Sequence, residues 1–224
     1  MKKLISVIII FSVFTVHAYA ANFTDTANHW AQNTINRLAD KGIVNGTDAR
    51  HFSPDAPIRR AEYLKMMMEL VGIDAVLYRN GDCLDAEASD WYCGYLQSAL
   101  DKGLIPKEMI ASYKANVTVN NGESSVRYTG AFNGNLPIER EEMAALSMNL
   151  YQYVLDSSNA NTLTPPTSVR LTDIDKVSVW AQPSVRLAVA AGFIEGMDDG
   201  SFQPRENATR AQAATILGRI LDRQ

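Results

Sequence analysis

One pattern of apolar and polar positions returns three times along the 224-residue chain. In its first copy Trp30, Ile35, Leu38 and Ala39 fall near one face of a helix, and Gly42 stands where a helix end favours glycine. A turn-rich stretch over 42–57 follows, with Phe52 as an apolar plug. Ala61, Leu64, Met67, Met68 and Val71 then line the buried side of a second helix over about 59–71. The third copy matches that helix with Ala211, Ala214, Leu217 and Leu221. One such pair buries too little apolar surface to stand alone, so the pattern predicts a mainly all-α fold of three helix–loop–helix units packed on one another.

Fixed spacings tie the copies together. Trp30 precedes Gly42 by 12 residues, as Trp91 precedes Gly103 and Trp180 precedes Gly192; Phe52, Phe132 and Phe202 each precede an arginine by eight. The openings "FTD", "CLD" and "LTD" place Asp25, Asp85 and Asp173 in register. From glycine to arginine the distance is 18 residues in copies one and three but 37 in copy two, which therefore carries a 19-residue insertion. Inside it "VTVNNGESSVRY" alternates around Asn121-Gly122, the signature of a β-hairpin. The units span 21–74, 75–155 (insertion about 107–131) and 171–224, with a Ser/Asn/Thr/Pro-rich linker at 156–170.

Residues 1–20 combine Lys2 and Lys3, an apolar run over 4–16 and Ala18-Tyr19-Ala20, the layout of a secretory signal. Its removal takes 21 basic residues to 19 against 25 acidic, a net charge of −6 that speaks against nucleic acid as a partner. In an oxidising compartment Cys83 and Cys93 are expected to form a disulfide. No metal or other cofactor is expected, because the two histidines beyond the signal, His29 and His51, lack partners at ligand spacing.

The chemistry-bearing oddity is "IRRAE", "IEREE" and "ATRAQ", which put Arg60, Arg140 and Arg210 at three helix starts, where the macrodipole repels cations. A helix N-terminus with an added guanidinium suits an anion such as a carboxylate. The same arginines also fit purely structural pairing, Arg60 with Asp25 or Glu62 and Arg210 with Asp173. Each tryptophan reads first as core and second as a platform for a sugar ring.

These units resemble S-layer homology domains, which hold bacterial surface proteins to the cell wall. The resemblance rests on "FTDTANHWA", "GIVNG", "FSP" and "IRRAE" in copy one, and on "LTDIDKVSVWA", "GFIEG", "FQP" and "ATRAQ" in copy three. Copy two, with "CLDAEASDWYC", "GLIPK" and "IEREE", departs furthest. The resemblance implies a pseudo-threefold helical body whose inter-unit grooves bind secondary cell-wall polysaccharide or another wall-linked glycan, often carrying pyruvate ketals. It places the chain outside the cell, at the wall or S-layer. The expected glycan-binding residues are Asp25, Trp30, Gly46, Arg60 and Glu62 in one groove and Asp173, Trp180, Gly196, Arg210 and Gln212 in another. Asp85, Trp91 and Arg140 form a weaker set, because Glu139, Glu141 and Glu142 flank Arg140 and Lys107 replaces the loop glycine.

No G-x-S-x-G, H-E-x-x-H or P-loop pattern occurs, so a non-catalytic role is expected. The alternative to glycan anchoring is an envelope-protein contact through the copy-two insertion.

Overall fold

The computed structural model describes residues 23–79, 83, 85–120, 123–158, 164, 166 and 169–223, so the signal-like segment lies outside it. Among the described residues six α-helices carry the fold: α1 (Gln32–Asp40), α2 (Arg60–Val71), α3 (Cys93–Asp101), α4 (Arg140–Ser157), α5 (Gln182–Ala190) and α6 (Arg210–Leu221). Short 3₁₀ turns open at Thr24–Thr26 and Ile174–Lys176, and a third, Lys107–Met109, leads into the insertion. There β1 (Ala111–Asn120) and β2 (Glu123–Ala131) pair antiparallel, with Val117 opposite Val126 and Asn120 opposite Glu123. The alternating pattern thus gives the expected hairpin, extended at both ends.

The second helices α2, α4 and α6 pack on one another as a central bundle, and each first helix leans on the second helix of the preceding unit. Thus α3 packs on α2, α5 on α4, and α1 closes the ring on α6. Helical period dictates this arrangement: Leu64, Met67, Ala144, Leu146, Ala214 and Leu217 are all fully buried between the units. From Arg140 to Met148 every residue of α4 is buried, because neighbours surround that helix.

A backbone triangle fixes the threefold at the helix starts. Ile58 N–H donates to Ala208 O, Ala208 N–H to Ile138 O, and Ile138 N–H to Ile58 O, at 3.0, 2.9 and 2.9 Å. The next two amides of each helix are satisfied by the loop that follows a neighbouring unit's buried phenylalanine, Phe-x-Pro in units one and three and Phe132-Asn133-Gly134 in unit two. Arg60 and Ala61 N–H reach Leu136 O and Gly134 O; Arg140 and Glu141 reach Glu206 O and Pro204 O; Arg210 and Ala211 reach Ala56 O and Pro54 O. The amides that a helix start leaves unpaired are therefore committed to a neighbour, and the expected bare N-terminal anion sites do not exist.

Gly42, Gly103 and Gly192 end the first helices in the left-handed region, at φ 73°, 65° and 69°. At the ring closure, a Cβ on Gly218 of α6 would stand 2.5 Å from Thr34 Cγ2 and 3.1 Å from Arg37 Nη2 of α1. Arg37 also pairs there with the Asp222 carboxylate. Gly218→Val is expected to lower stability by roughly 1–3 kcal/mol through this overpacking, read from the midpoint of urea unfolding.

The expected Cys83–Cys93 bridge is not formed. Both residues are buried as thiols, and Cys93, the first residue of α3, turns its Sγ to Glu87 O at 2.6 Å. Burial, with Asp90 nearby, pushes the Cys93 thiol up to about 11. No helix among the described residues is long and apolar enough to cross a membrane.

Candidate functional site: grooves shared by three units

The three aspartates that open the units are structural. Asp25 accepts from Phe52 and Ser53 N–H at 2.9 and 2.7 Å, Asp85 from Phe132 and Asn133 at 2.8 and 2.6 Å, and Asp173 from Phe202 and Gln203 at 2.7 and 2.8 Å. The second donor is each time a residue in the left-handed region, Ser53, Asn133 or Gln203, with φ between 56° and 57°. A carboxylate accepting two amides holds that strained turn. Both oxygens of each aspartate face the protein's own loop.

Nor do Trp30 and Trp91 belong to the core as their size suggests. Trp30 and Trp91 precede their helices in a turn and are 65% and 53% exposed; Trp180 is partly buried against the core. Left-handed Asn28, with the turn from His29 to Gln32, delays α1 until Gln32 and swings Trp30 off its apolar face.

Among the described residues, two cavities lie between units. The first, about 270 Å³, is lined by Asn45, Gly46, Thr47, Glu62, Lys65, Trp91 and Arg210. The second, about 180 Å³, is lined by Trp30, Arg140, Glu195, Gly196, Gln212, Thr215 and Arg219 among others. Each takes its glycine loop and second helix from one unit, its tryptophan from the next and its arginine from the third. The grouping read from sequence, one unit per groove, is corrected: Trp30 faces Gly196 and Gln212, while Trp91 faces Gly46 and Glu62. Asp25, Asp85, Asp173, Arg60 and Trp180 line neither cavity.

Gly46 is explained by packing. A Cβ there would meet His51 O at 2.5 Å and Phe23 Cε1 at 2.6 Å. Lys65, Asn45, Thr47, Thr215 and Arg219 were missed by sequence reading. The signal for the α6 pair was the spacing Gln212, Thr215, Arg219, which places them on one helical face.

Arg210 and Arg140 are buried inter-unit staples that also form cavity wall. Arg210 donates from Nε to Phe52 O at 2.8 Å and from Nη2 to Asn45 O at 2.7 Å, with its guanidinium 4.6 Å from the Phe52 ring centre. Arg140 repeats this on Phe202 O and Glu195 O at 2.9 and 3.4 Å, over the Phe202 ring. Burial lowers both guanidinium pKa values from the ordinary one, opposed by Glu62 and Asp25 at Arg210 and by Asp173 at Arg140. Arg60 instead pairs through Nε and Nη2 with both oxygens of Glu142, 82 residues away. Neither Asp25 nor Glu62 pairs with Arg60, and Arg210 stands 3.8 Å from Glu62 instead of pairing with Asp173.

The glutamates flanking Arg140 in sequence do not surround it in space. Glu142 serves Arg60, while Arg205 holds Glu139 at 2.9 Å and stands 3.0 Å from Glu141. Glu141 is fully buried and accepts from Ser178 N–H at 2.9 Å. Among the described residues no cluster of His, Cys, Asp and Glu could hold a metal ion.

Residues 22–64 and 170–214 match the S-layer homology domain. The chain is 28% identical over 95% of its length to an amylopullulanase of Thermoanaerobacterium thermosulfurigenes, covering 10% of that protein. It is 28% identical over 91% of its length to the exoglucanase XynX of Acetivibrio thermocellus, covering 16%. It is 26% identical over 92% of its length to the S-layer protein sap of Bacillus anthracis, covering 22%. The chain thus spans a quarter or less of each of these relatives. Unit two lies between the matched segments and repeats their Asp-to-Phe clamp, their triangle contact and their helix order. The match to the S-layer homology domain thus falls on the chain's first and third units.

Proposed function

We propose that this protein is a non-catalytic anchor of the cell envelope that holds an anionic wall polysaccharide in its inter-unit cavities. One observation carries the reading: two cavities each join an exposed tryptophan, a turn loop and a buried arginine drawn from three different units. An exposed indole offers a flat apolar face to a sugar ring, and a guanidinium recognises a carboxylate or phosphate. Cavities of this size suit one sugar residue with its substituent rather than a buried drug-sized ligand. The enzymatic names of the relatives belong to proteins of which this chain covers 10–18%, and they are not carried over.

The test is sedimentation of the protein with purified wall sacculi, before and after chemical removal of the accessory polysaccharide. Trp30→Ala/Trp91→Ala is expected to weaken sedimentation at least tenfold while the helical circular dichroism stays unchanged, because both side chains are exposed. Undiminished sedimentation after the polymer is stripped would refute the glycan reading.

A second reading has its own observation. The β1–β2 ribbon contacts the helical body chiefly at its own root, Lys107–Met109, and a two-stranded ribbon carries two open edges. It supports docking on an envelope protein, in which case sedimentation follows residues 107–131 and survives loss of the polymer.

A further inference from the structure

The ribbon that unit two adds is a sheet of two strands, and among the described residues no third strand pairs with either edge. It meets the helical body chiefly at its root, the Lys107–Met109 turn. Its register sorts the residues onto two unlike faces. Ala115 stands opposite Tyr128, Val117 opposite Val126 and Val119 opposite Ser124, so one face carries five apolar or aromatic positions. The other face carries only polar residues, among them Lys114, Glu123 and Arg127. A ribbon of two strands is marginal in water, and a sheet with one apolar face gains independent stability from three strands or more. This insertion is therefore incomplete as a sheet until further strands join it.

Its two edges differ. β1 contains Lys114 and no acid, and an unmatched lysine guards an edge against pairing with its like. β2 contains Glu123 and Arg127, four residues apart and on the same face. Antiparallel pairing of β2 with a second β2, about a two-fold axis through Ser125, sets Glu123 opposite the partner's Arg127 and Arg127 opposite the partner's Glu123. Opposite charges directly across antiparallel strands stabilise a sheet, and like charges destabilise it. The same axis sets Val126 opposite the partner's Ser124, so the apolar faces of both ribbons fall on one side. A slip of one residue would put those faces on opposite sides and separate the charges. Unit two is also the unit whose groove is altered. Lys107 stands where units one and three have Gly46 and Gly196, and Arg60, the arginine that the threefold assigns to that rim, is held by both oxygens of Glu142.

We propose that β2 is a self-recognition edge: two copies of this chain pair β2 to β2 about Ser125 and form one four-stranded antiparallel sheet. The contact is isologous, so it closes at two copies. It leaves β1, with Lys114, as the outer edge on both sides. The pairing does not depend on the anchor reading. Under that reading a dimer presents the cavities of both copies to one polymer, and binding gains by avidity.

Sedimentation equilibrium of the full chain over a range of concentrations reads the state directly, and wild type is expected to be a dimer. Glu123→Arg sets arginine against arginine, and Arg127→Glu sets glutamate against glutamate. Each alone is expected to weaken dimerisation by roughly tenfold or more. An equimolar mixture of the two variants restores both opposite-charge pairs, so it is expected to recover the dimer, as is the chain carrying both reversals. Mere damage to the ribbon would not be repaired in this way. Amide exchange along residues 123–129 is expected to slow as wild type is concentrated, and not to slow in either single variant. A wild-type chain that stays monomeric overturns the proposal and returns the ribbon to the envelope-protein reading. Dimers that persist undiminished in both single variants place the contact elsewhere and overturn it too, as does a mixture that stays monomeric.

Discussion

Asp173→Ala is expected to lower the unfolding free energy by roughly 3–5 kcal/mol, one of the two largest single-residue effects in the molecule. The carboxylate is 7% exposed and accepts two amides, at 2.7 and 2.8 Å, from a turn whose second residue has φ 57°. Truncation leaves both N–H groups without an acceptor beside fully buried Phe202. The same loop feeds Pro204 and Glu206 carbonyls to the start of α4, so the damage spreads across a unit boundary. Urea unfolding followed by circular dichroism gives the number. Asp25→Ala and Asp85→Ala should rank below it, since those carboxylates are more exposed. A loss under about 1 kcal/mol at Asp173 would mean that the Phe-x-Pro loop is held by other contacts.

The same clamp predicts an acid limb. At Asp25 burial pushes the carboxyl up, but the N–H groups of Phe52 and Ser53 outweigh it, and the pKa is held below its ordinary value of 3.8. A folded value below the unfolded one means the contribution is complete above the unfolded pKa. It is lost as pH falls through the folded value. Stability measured from pH 6 down to pH 2 should therefore fall less steeply in Asp25→Asn than in wild type, and an identical slope would exclude this carboxylate as a source.

Much of this was legible in the chain. The fixed Trp–Gly and Phe–Arg spacings gave the three units, apolar period gave the second helix of the first unit to within a residue, and the alternation around Asn121-Gly122 gave the hairpin. What could not be read was which faces meet. Periodicity says that α3 has an apolar side but not that α2, rather than α4, covers it. The aspartates illustrate a missed signal: Asp25 to Phe52 is 27 residues and Asp173 to Phe202 is 29, so a near-constant clamp distance stood in the sequence. Arg60 illustrates the opposite case. Its partner lies 82 residues on, in another unit, and local charge pairing pointed to Asp25 or Glu62 instead. Trp30 was assigned to the core on size, an average that fails where left-handed Asn28 turns the chain before the helix begins.

Glu142→Ala is the second large effect, expected to cost roughly 3–5 kcal/mol, because it strands Arg60 without a counter-charge and removes the acceptor for Glu139 N–H. Side-chain exposures of 13% and 9% place the pair where solvent compensates poorly. Glu142→Gln keeps the capping oxygen and loses only the charge, so its cost should be smaller, on the order of 1–3 kcal/mol. A double-mutant cycle with Arg60→Met separates the pair from its surroundings. The single changes should each destabilise, and the double change should cost clearly less than their sum, because it leaves no buried charge unmatched. Additivity would mean that each side chain is held by something other than its partner.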